Sequence, residues 1–152
     1  GTIAAAGLDQ VEASTAADAV EAVLNSMQEH PADAHLQEVG CRALEVLSDK
    51  DGNQEKILAA GGVDVVLAAM RQHGLASGLQ ETGCRLLWTL TSSEANELNI
   101  VLQGGIKVVV SAMREHLSSS AVQLAGCGVL GAVALSEANQ LKIAEAGAVV
   151  AV

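Results

Sequence analysis

The chain has 152 residues, and half of them are hydrophobic, which is enough for one domain with a substantial core. Its formal net charge is −10 and its eight lysines and arginines are scattered singly, which excludes the clustered basic face that nucleic acid requires. One tryptophan, no tyrosine and no phenylalanine favour closely packed helices over a pocket for a large ligand.

The first residues have only a weak helical pattern. Residues 1–6, GTIAAA, resemble a frayed start or a cloning remnant. We predict that 1–17 form an N-terminal extension or a degenerate capping helix. The N-terminus lacks the basic start and the long apolar run of a signal peptide. No apolar run reaches the roughly 18 to 20 residues of a transmembrane helix. We therefore expect an intracellular, cytoplasmic protein without membrane insertion.

From residue 18 onward the sequence repeats itself at a spacing of 43 residues. The repeated positions include Gly40-Cys41, Gly83-Cys84 and Gly126-Cys127, then Met27, Met70 and Met113, and His30, His73 and His116. A helical pattern with such a period predicts an all-α fold, an α-solenoid. The predicted units are repeat 1 at 18–60, repeat 2 at 61–103, repeat 3 at 104–146, and the start of a truncated further repeat at 147–152.

Each unit divides into three predicted helices. In the second unit they are 53–60, which ends at Gly61-Gly62, then 63–73 with an apolar stripe, and 79–92. The same division predicts helices at 18–29 and 33–47 in the first unit. In the third unit it predicts helices at 96–103, 106–117 and 120–136. The bare valines Val149, Val150 and Val152 suggest that the chain was cut from a longer array, because terminal repeats carry a polar outer face.

The unit "short helix, Ala-Gly-Gly, apolar helix, turn, Gln-x-x-Gly-Cys-x-x-Leu-x-x-Leu" resembles the armadillo (ARM) repeat over most of 18–152. The spelling LQETGCRLLWTLTSS is most similar to the repeats of large multidomain proteins, including those of leucine-rich-repeat kinases. The resemblance implies a right-handed superhelix of three-helix repeats. Its third helices would line a concave groove that binds extended segments or helices of other proteins.

Peptide-binding members of the family use a tryptophan and, four residues later, an asparagine on the third helix. The tryptophan position holds Arg42, Arg85 and Gly128 here, and the asparagine position holds Val46, Thr89 and Ala132. The absence of asparagine argues against an importin-like receptor for basic peptides. Trp88 precedes the asparagine position by one residue, so it either edges the groove or packs between units.

The repeated cysteines, histidines and glycines have structural roles in the predicted fold. A nucleophilic cysteine needs a base within reach, and no histidine lies on the helices of Cys84 or Cys127, so burial in the core is predicted for the cysteines. Stacked at one helix spacing, about 8–10 Å apart, they are too distant for a disulfide. The three repeated histidines should form a ladder that caps helix ends rather than a metal site. The repeated glycines before the cysteines predict close approach of a neighbouring helix.

We therefore predict a non-catalytic protein–protein interaction module or scaffold, without cofactor or metal, inside a larger intracellular protein. The groove would bind a peptide segment or a helix, and nucleic acid is excluded as a partner. The alternative is an architectural or self-associating segment with an unused groove, in which the exposed repeat ends drive homo-association. The predicted groove residues are Arg42, Glu45, Arg85, Trp88, Thr89, Gly128 and Ala132.

Overall fold

The computed structural model describes residues 2–50, 52–134 and 141, with side chains from residue 14 onward. Every secondary-structure element in these ranges is an α-helix, as predicted. The helices are α1 (Thr2–Glu29), α2 (Ala34–Leu47), α3 (Asn53–Ala59), α4 (Gly62–Gln72), α5 (Ser77–Leu90), α6 (Glu94–Leu102), α7 (Gly105–Glu115) and α8 (Ser120–Val133). None of the helices in this part of the chain is long and apolar enough to cross a membrane.

Glycines and capping side chains set the helix boundaries. Gly61 and Gly104 have φ angles of 80° and 84°, which end α3 and α6 and start α4 and α7 directly afterwards. Asp33 accepts a hydrogen bond from the Leu36 backbone N–H at 3.0 Å and caps α2, and Ser119 caps α8 in the same way. Both glycines therefore have the positive φ that the sequence predicts.

The first helix is longer than the sequence predicts. A separate helix over 18–29 was expected, but α1 runs without a break from Thr2 to Glu29. The stretch before Asp18 contains no proline, and the single Gly7 costs only about 1 kcal/mol in a helix, too little to end it in an alanine-rich segment. The prediction of a helix start at residue 18 is wrong. The other predicted helices are observed with ends shifted by up to three residues.

The helices form two packed layers. One contains α1, α4 and α7, and the other contains α2, α5 and α8, with each helix packed against the equivalent helix of the next unit. The short helix α3 packs against α1 and α4, and the short helix α6 packs against α5, α7 and α8. Fully buried side chains between the layers include Leu44, Val66, Leu87 and Val109. The described chain is thus an α-solenoid.

A glutamine joins the two layers within each unit, and it is buried in the first two units and half-buried in the third. Gln80 Nε2 donates to the Met70 carbonyl at 3.1 Å and to the His73 carbonyl at 2.9 Å, at the end of α4. Gln37 and Gln123 make the same pair of hydrogen bonds in the first and third units. Each glutamine thus adds a donor to two carbonyls at a helix end, and the histidine carbonyl of each pair also accepts a backbone N–H from the following turn.

The repeated glycines permit the predicted close approach. A Cβ on Gly83 would lie 2.6 Å from Met70 Sδ, so the methionine side chain occupies the space that any larger residue would need. Gly40 and Gly126 stand in the same relation to Met27 and Met113. These glycines therefore set the distance between the second and third helices of each unit.

Two of the three cysteines lie in the core. Cys41 and Cys84 are buried as predicted, but Cys127 is exposed, so the prediction of burial is wrong there. Cys41 and Cys84 belong to α2 and α5, each of which has a following third helix packed beside it. Cys127 belongs to α8, the last third helix in the described ranges.

Two of the three repeated histidines, His73 and His116, join successive units instead of capping their own helices. His73 Nε2 lies 2.7 Å from the Pro31 carbonyl, and His116 Nε2 lies 2.7 Å from the Gly74 carbonyl. Both residues are at helix C-termini, as predicted, but their rings reach the turn of the preceding unit. The predicted capping role is thus replaced by a hydrogen bond between units.

Candidate protein-interaction surface

The accessible side of α2, α5 and α8 carries the predicted groove residues. Because the three helices lie side by side, their outward side chains form one surface, which we call the third-helix surface. Arg42, Arg85 and Trp88 are exposed on it, and Glu45 and Thr89 are half-buried.

A groove crosses this surface from α5 to α8. It has a volume of about 390 Å³. Its lining residues are Glu45, Glu81, Arg85, Trp88, Thr89, Ala121, Leu124 and Ala125. One wall is charged and the other is apolar, which is the composition of a site that orients a partner and also buries part of it.

An ion-pair network forms the charged wall. Arg85 contacts Glu45 Oε1 on α2 through Nη2 at 2.9 Å and Nε at 3.1 Å, and Glu81 lies 3.6 Å from Nη1. The guanidinium is therefore neutralised within the chain. The second oxygen of the first carboxylate, Glu45 Oε2, is buried without a hydrogen-bond partner in the described ranges.

The indole of Trp88 forms part of the apolar wall. The side chain is 43% exposed, and its inner face lies against the backbone of Gly128 on α8. Both alternatives from the sequence hold at once, because Trp88 edges the groove and also packs between units. Gly128 provides the space for this contact and does not itself line the groove.

The structure brings together four of the seven predicted groove residues. Glu45, Arg85, Trp88 and Thr89 line the groove, whereas Arg42 pairs with Glu38 along α2 at 3.0 Å and Ala132 lies outside the lining. The sequence prediction missed Glu81 and the α8 wall of Ala121, Leu124 and Ala125. The spacing of Glu81 four residues before Arg85 was a usable signal, but nothing local marks the alanines.

The cysteines in the core are poor nucleophiles. Burial raises the pKa of the Cys41 thiol to about 12, and the negative charges of Glu38 and Glu45 add to this. Burial alone raises the pKa of Cys84 to about 12. Both thiols are protonated at neutral pH, and only a thiolate attacks efficiently. No cluster of three His, Cys, Asp or Glu side chains suited to a metal ion occurs in the part of the chain that the structure describes.

A family model described as "LRRK2 ARM repeat" matches residues 10–149, nearly the whole chain. The chain belongs to this ARM repeat family. Neither curated proteins nor solved structures gave a match. The armadillo resemblance of the sequence is thereby confirmed. ARM repeat domains are generally non-catalytic modules that bind or arrange other proteins.

Proposed function

We propose that this ARM repeat chain is a non-catalytic interaction module of a larger, cytoplasmic protein. It binds a peptide segment or a helix of a partner protein in the groove between α5 and α8. The observation that carries the proposal is Trp88, which is held half-exposed against Gly128 beside the charged wall of Glu45, Glu81 and Arg85.

Trp88 suits the role of an anchor. Tryptophan and arginine dominate the energetics of protein interfaces. The contact with Gly128 fixes the indole before a partner arrives, so less side-chain entropy is lost on binding. Leu124, which is also exposed, extends the apolar wall beside it.

Arg85 does not face the groove as an isolated cation. Its guanidinium already bridges Glu45 and Glu81, so it holds the charged wall in place and presents its remaining donors to a partner. Exposed pairs of this kind contribute about 0–1 kcal/mol to stability, so removing Arg85 leaves the fold intact.

The test is affinity capture from a cell extract with the chain and its Arg85→Ala/Trp88→Ala double variant, with captured proteins quantified by mass spectrometry. The captured amount of each groove-binding partner should be at least tenfold lower with the double variant. The control is Leu102→Ala, which removes an exposed apolar side chain on α6 and should capture the same proteins as the native chain. Equal capture by the double variant would refute the proposal that the groove binds partner proteins.

A second candidate function is self-association through the ends of the stack. Val39 on α2 is 44% exposed, whereas the equivalent Thr82 and Ala125 are 3% and 1% exposed, because each has a preceding third helix packed beside it. No third helix of the described structure covers Val39, so this side of α2 presents an apolar side chain. The valines Val149, Val150 and Val152, which the sequence assigns to the opposite end, lie outside the described residues.

Sedimentation equilibrium distinguishes this candidate. A weight-average mass that rises with concentration, and falls to the monomer value in Val39→Glu, supports self-association. The triple change of Val149, Val150 and Val152 to serine tests the other end in the same way. A monomer at all concentrations excludes self-association and leaves the groove as the function.

A further inference from the structure

A second cleft lies on the other layer, between α4 and α7. It has a volume of about 370 Å³, within the range of sites that bind small molecules and single side chains. Its apolar lining includes Met70, Val108 and Ala112, and Leu75 at its rim is 80% exposed. Arg71 and Lys107 add two positive charges, and Glu115 adds one negative charge.

An equivalent cleft lies one unit earlier, between α1 and α4. Its volume is about 270 Å³, and its apolar residues Met27, Val65 and Ala69 correspond to those of the α4/α7 cleft. The charged positions differ. Gln28, Asp64 and Gln72 of the α1/α4 cleft stand at the positions equivalent to Arg71, Lys107 and Glu115, respectively. The fold therefore builds this cleft without any cation, so packing does not explain the two cations of the α4/α7 cleft.

The two cations of the α4/α7 cleft outnumber its single carboxylate. Arg71 Nη2 donates to the backbone carbonyl of Gln103 at 2.8 Å, which fixes the guanidinium without pairing it to a carboxylate. Ion pairs in the described ranges involve neither Arg71 nor Lys107. With Glu115 counted against Arg71 and Lys107, the cleft keeps an excess of one positive charge on a chain whose net charge is −10, which is complementary to an anionic ligand.

We propose that the α4/α7 cleft binds an acidic peptide segment in which a carboxylate residue adjoins a leucine, isoleucine or valine. The carboxylate pairs with Arg71 and Lys107, and Arg71 offers the fork geometry that carboxylates prefer. The aliphatic side chain enters the cleft against Val108 and Ala112. This site is separate from the groove of the proposed function and does not depend on it.

The test is an NMR titration of the ¹⁵N-labelled chain with the peptide acetyl-Gly-Glu-Leu-Asp-Leu-Gly-amide. Backbone signals of Gly74, Lys107 and Ser111 should shift saturably, while those of Ala68 and Asp64 in the α1/α4 cleft should not. A peptide with lysine in place of both acids should cause no shifts. Shifts confined to Trp88 and Thr89 would instead place the peptide in the third-helix groove and overturn the proposal.

The residues of the α1/α4 cleft suggest substitutions that should remove binding from the α4/α7 cleft. Arg71→Gln/Lys107→Asp introduces the residues of the α1/α4 cleft and should weaken binding at least tenfold. Lys107→Asp alone should also weaken binding, whereas Lys50→Asp, an exposed change outside the cleft that alters the net charge by the same amount as Lys107→Asp, should leave the affinity within twofold. Equal weakening by the control would show a nonspecific charge effect and refute the site.

A competition experiment distinguishes a peptide ligand from a simple anion. Inorganic phosphate at 10 mM should reduce peptide affinity by less than threefold, because it cannot fill the apolar part of the cleft. Full displacement by phosphate would show an anion site and overturn the peptide assignment. The reciprocal variant Gln28→Arg/Asp64→Lys should create peptide-induced shifts in the α1/α4 cleft, and its failure to do so would contradict the charge argument.

Discussion

The indole of Trp88 occupies the position that a side chain on residue 128 would take. A Cβ built on Gly128 would lie 2.3 Å from both Cδ2 and Cε2 of Trp88, much closer than carbon atoms can approach. The two residues belong to consecutive third helices. A glycine on α8 therefore decides how a tryptophan on α5 is presented.

Gly128→Ala should move this indole toward solvent. Trp88 is the only tryptophan of the chain and there is no tyrosine, so its emission maximum reports the contact directly. We expect a shift to longer wavelength, with a stability change within about 1 kcal/mol because the helix propensity of alanine offsets the lost contact. Gly131→Ala is the control and should not change the emission, because no atom of the described residues lies within 4 Å of a Cβ built there. An unchanged spectrum in Gly128→Ala would disprove the contact.

Gly83→Ala should destabilise the chain although alanine favours helices. The new Cβ would meet Met70, whose side chain is in the core, and overpacking costs about 1–3 kcal/mol. Urea unfolding of Gly83→Ala and Gly131→Ala provides the comparison, because the second change should stabilise α8 by up to about 1 kcal/mol. Equal effects of the two substitutions would show that the methionine contact does not limit the helix spacing.

Gln80→Leu should destabilise the chain by about 1–3 kcal/mol, because it leaves the carbonyls of Met70 and His73 without their side-chain donor. The free energy of unfolding, measured with urea, tests this. Gln72→Leu changes an exposed glutamine on the adjacent helix and should alter stability by less than about 0.5 kcal/mol. A neutral Gln80→Leu would mean that water replaces the amide at both carbonyls.

A thiol reagent should modify Cys127 rapidly in the folded chain. Cys41 and Cys84 are buried, and their pKa values of about 12 keep them protonated, so they should react only after unfolding. Titration with an aromatic disulfide reagent should give one fast thiol per chain at pH 8 and three in urea. The Cys127→Ser variant should lose the fast thiol, and a persisting fast reaction there would contradict the buried positions of the other two.

The same thiols predict loss of stability at high pH. Their pKa is about 12 in the folded chain against 9.0 for an ordinary thiol, so the folded state holds the proton more tightly. Their stabilising contribution is complete below pH 9 and falls as the pH rises from 9 toward 12. Unfolding experiments across this window should show a smaller decline in Cys84→Ala than in the native chain. An identical decline would assign the alkaline instability to other groups.

The sequence determined the architecture because the residue patterns that specify each helix and its ends are local. Apolar residues at helical spacing define each helix, Gly61 and Gly104 mark helix ends, and the Gly-Cys pairs indicate tight contact between layers. Each of these signals lies within one unit, and its recurrence reinforces it. They were sufficient for the all-α solenoid and for the ARM resemblance. They failed at α1, because no residue in the preceding segment stops a helix that is already formed.

Only the tertiary structure decided how the units meet. The pairing of Arg85 with Glu45, 40 residues apart, depends on the distance between α2 and α5 and on side-chain conformation. The contact of Trp88 with Gly128, the ring of His73 on the Pro31 carbonyl and the exposure of Cys127 likewise depend on which helix lies beside which. A repeat spacing shows which positions are equivalent. It does not give the rotamers and interhelical distances that decide which side chains meet across the boundary between units.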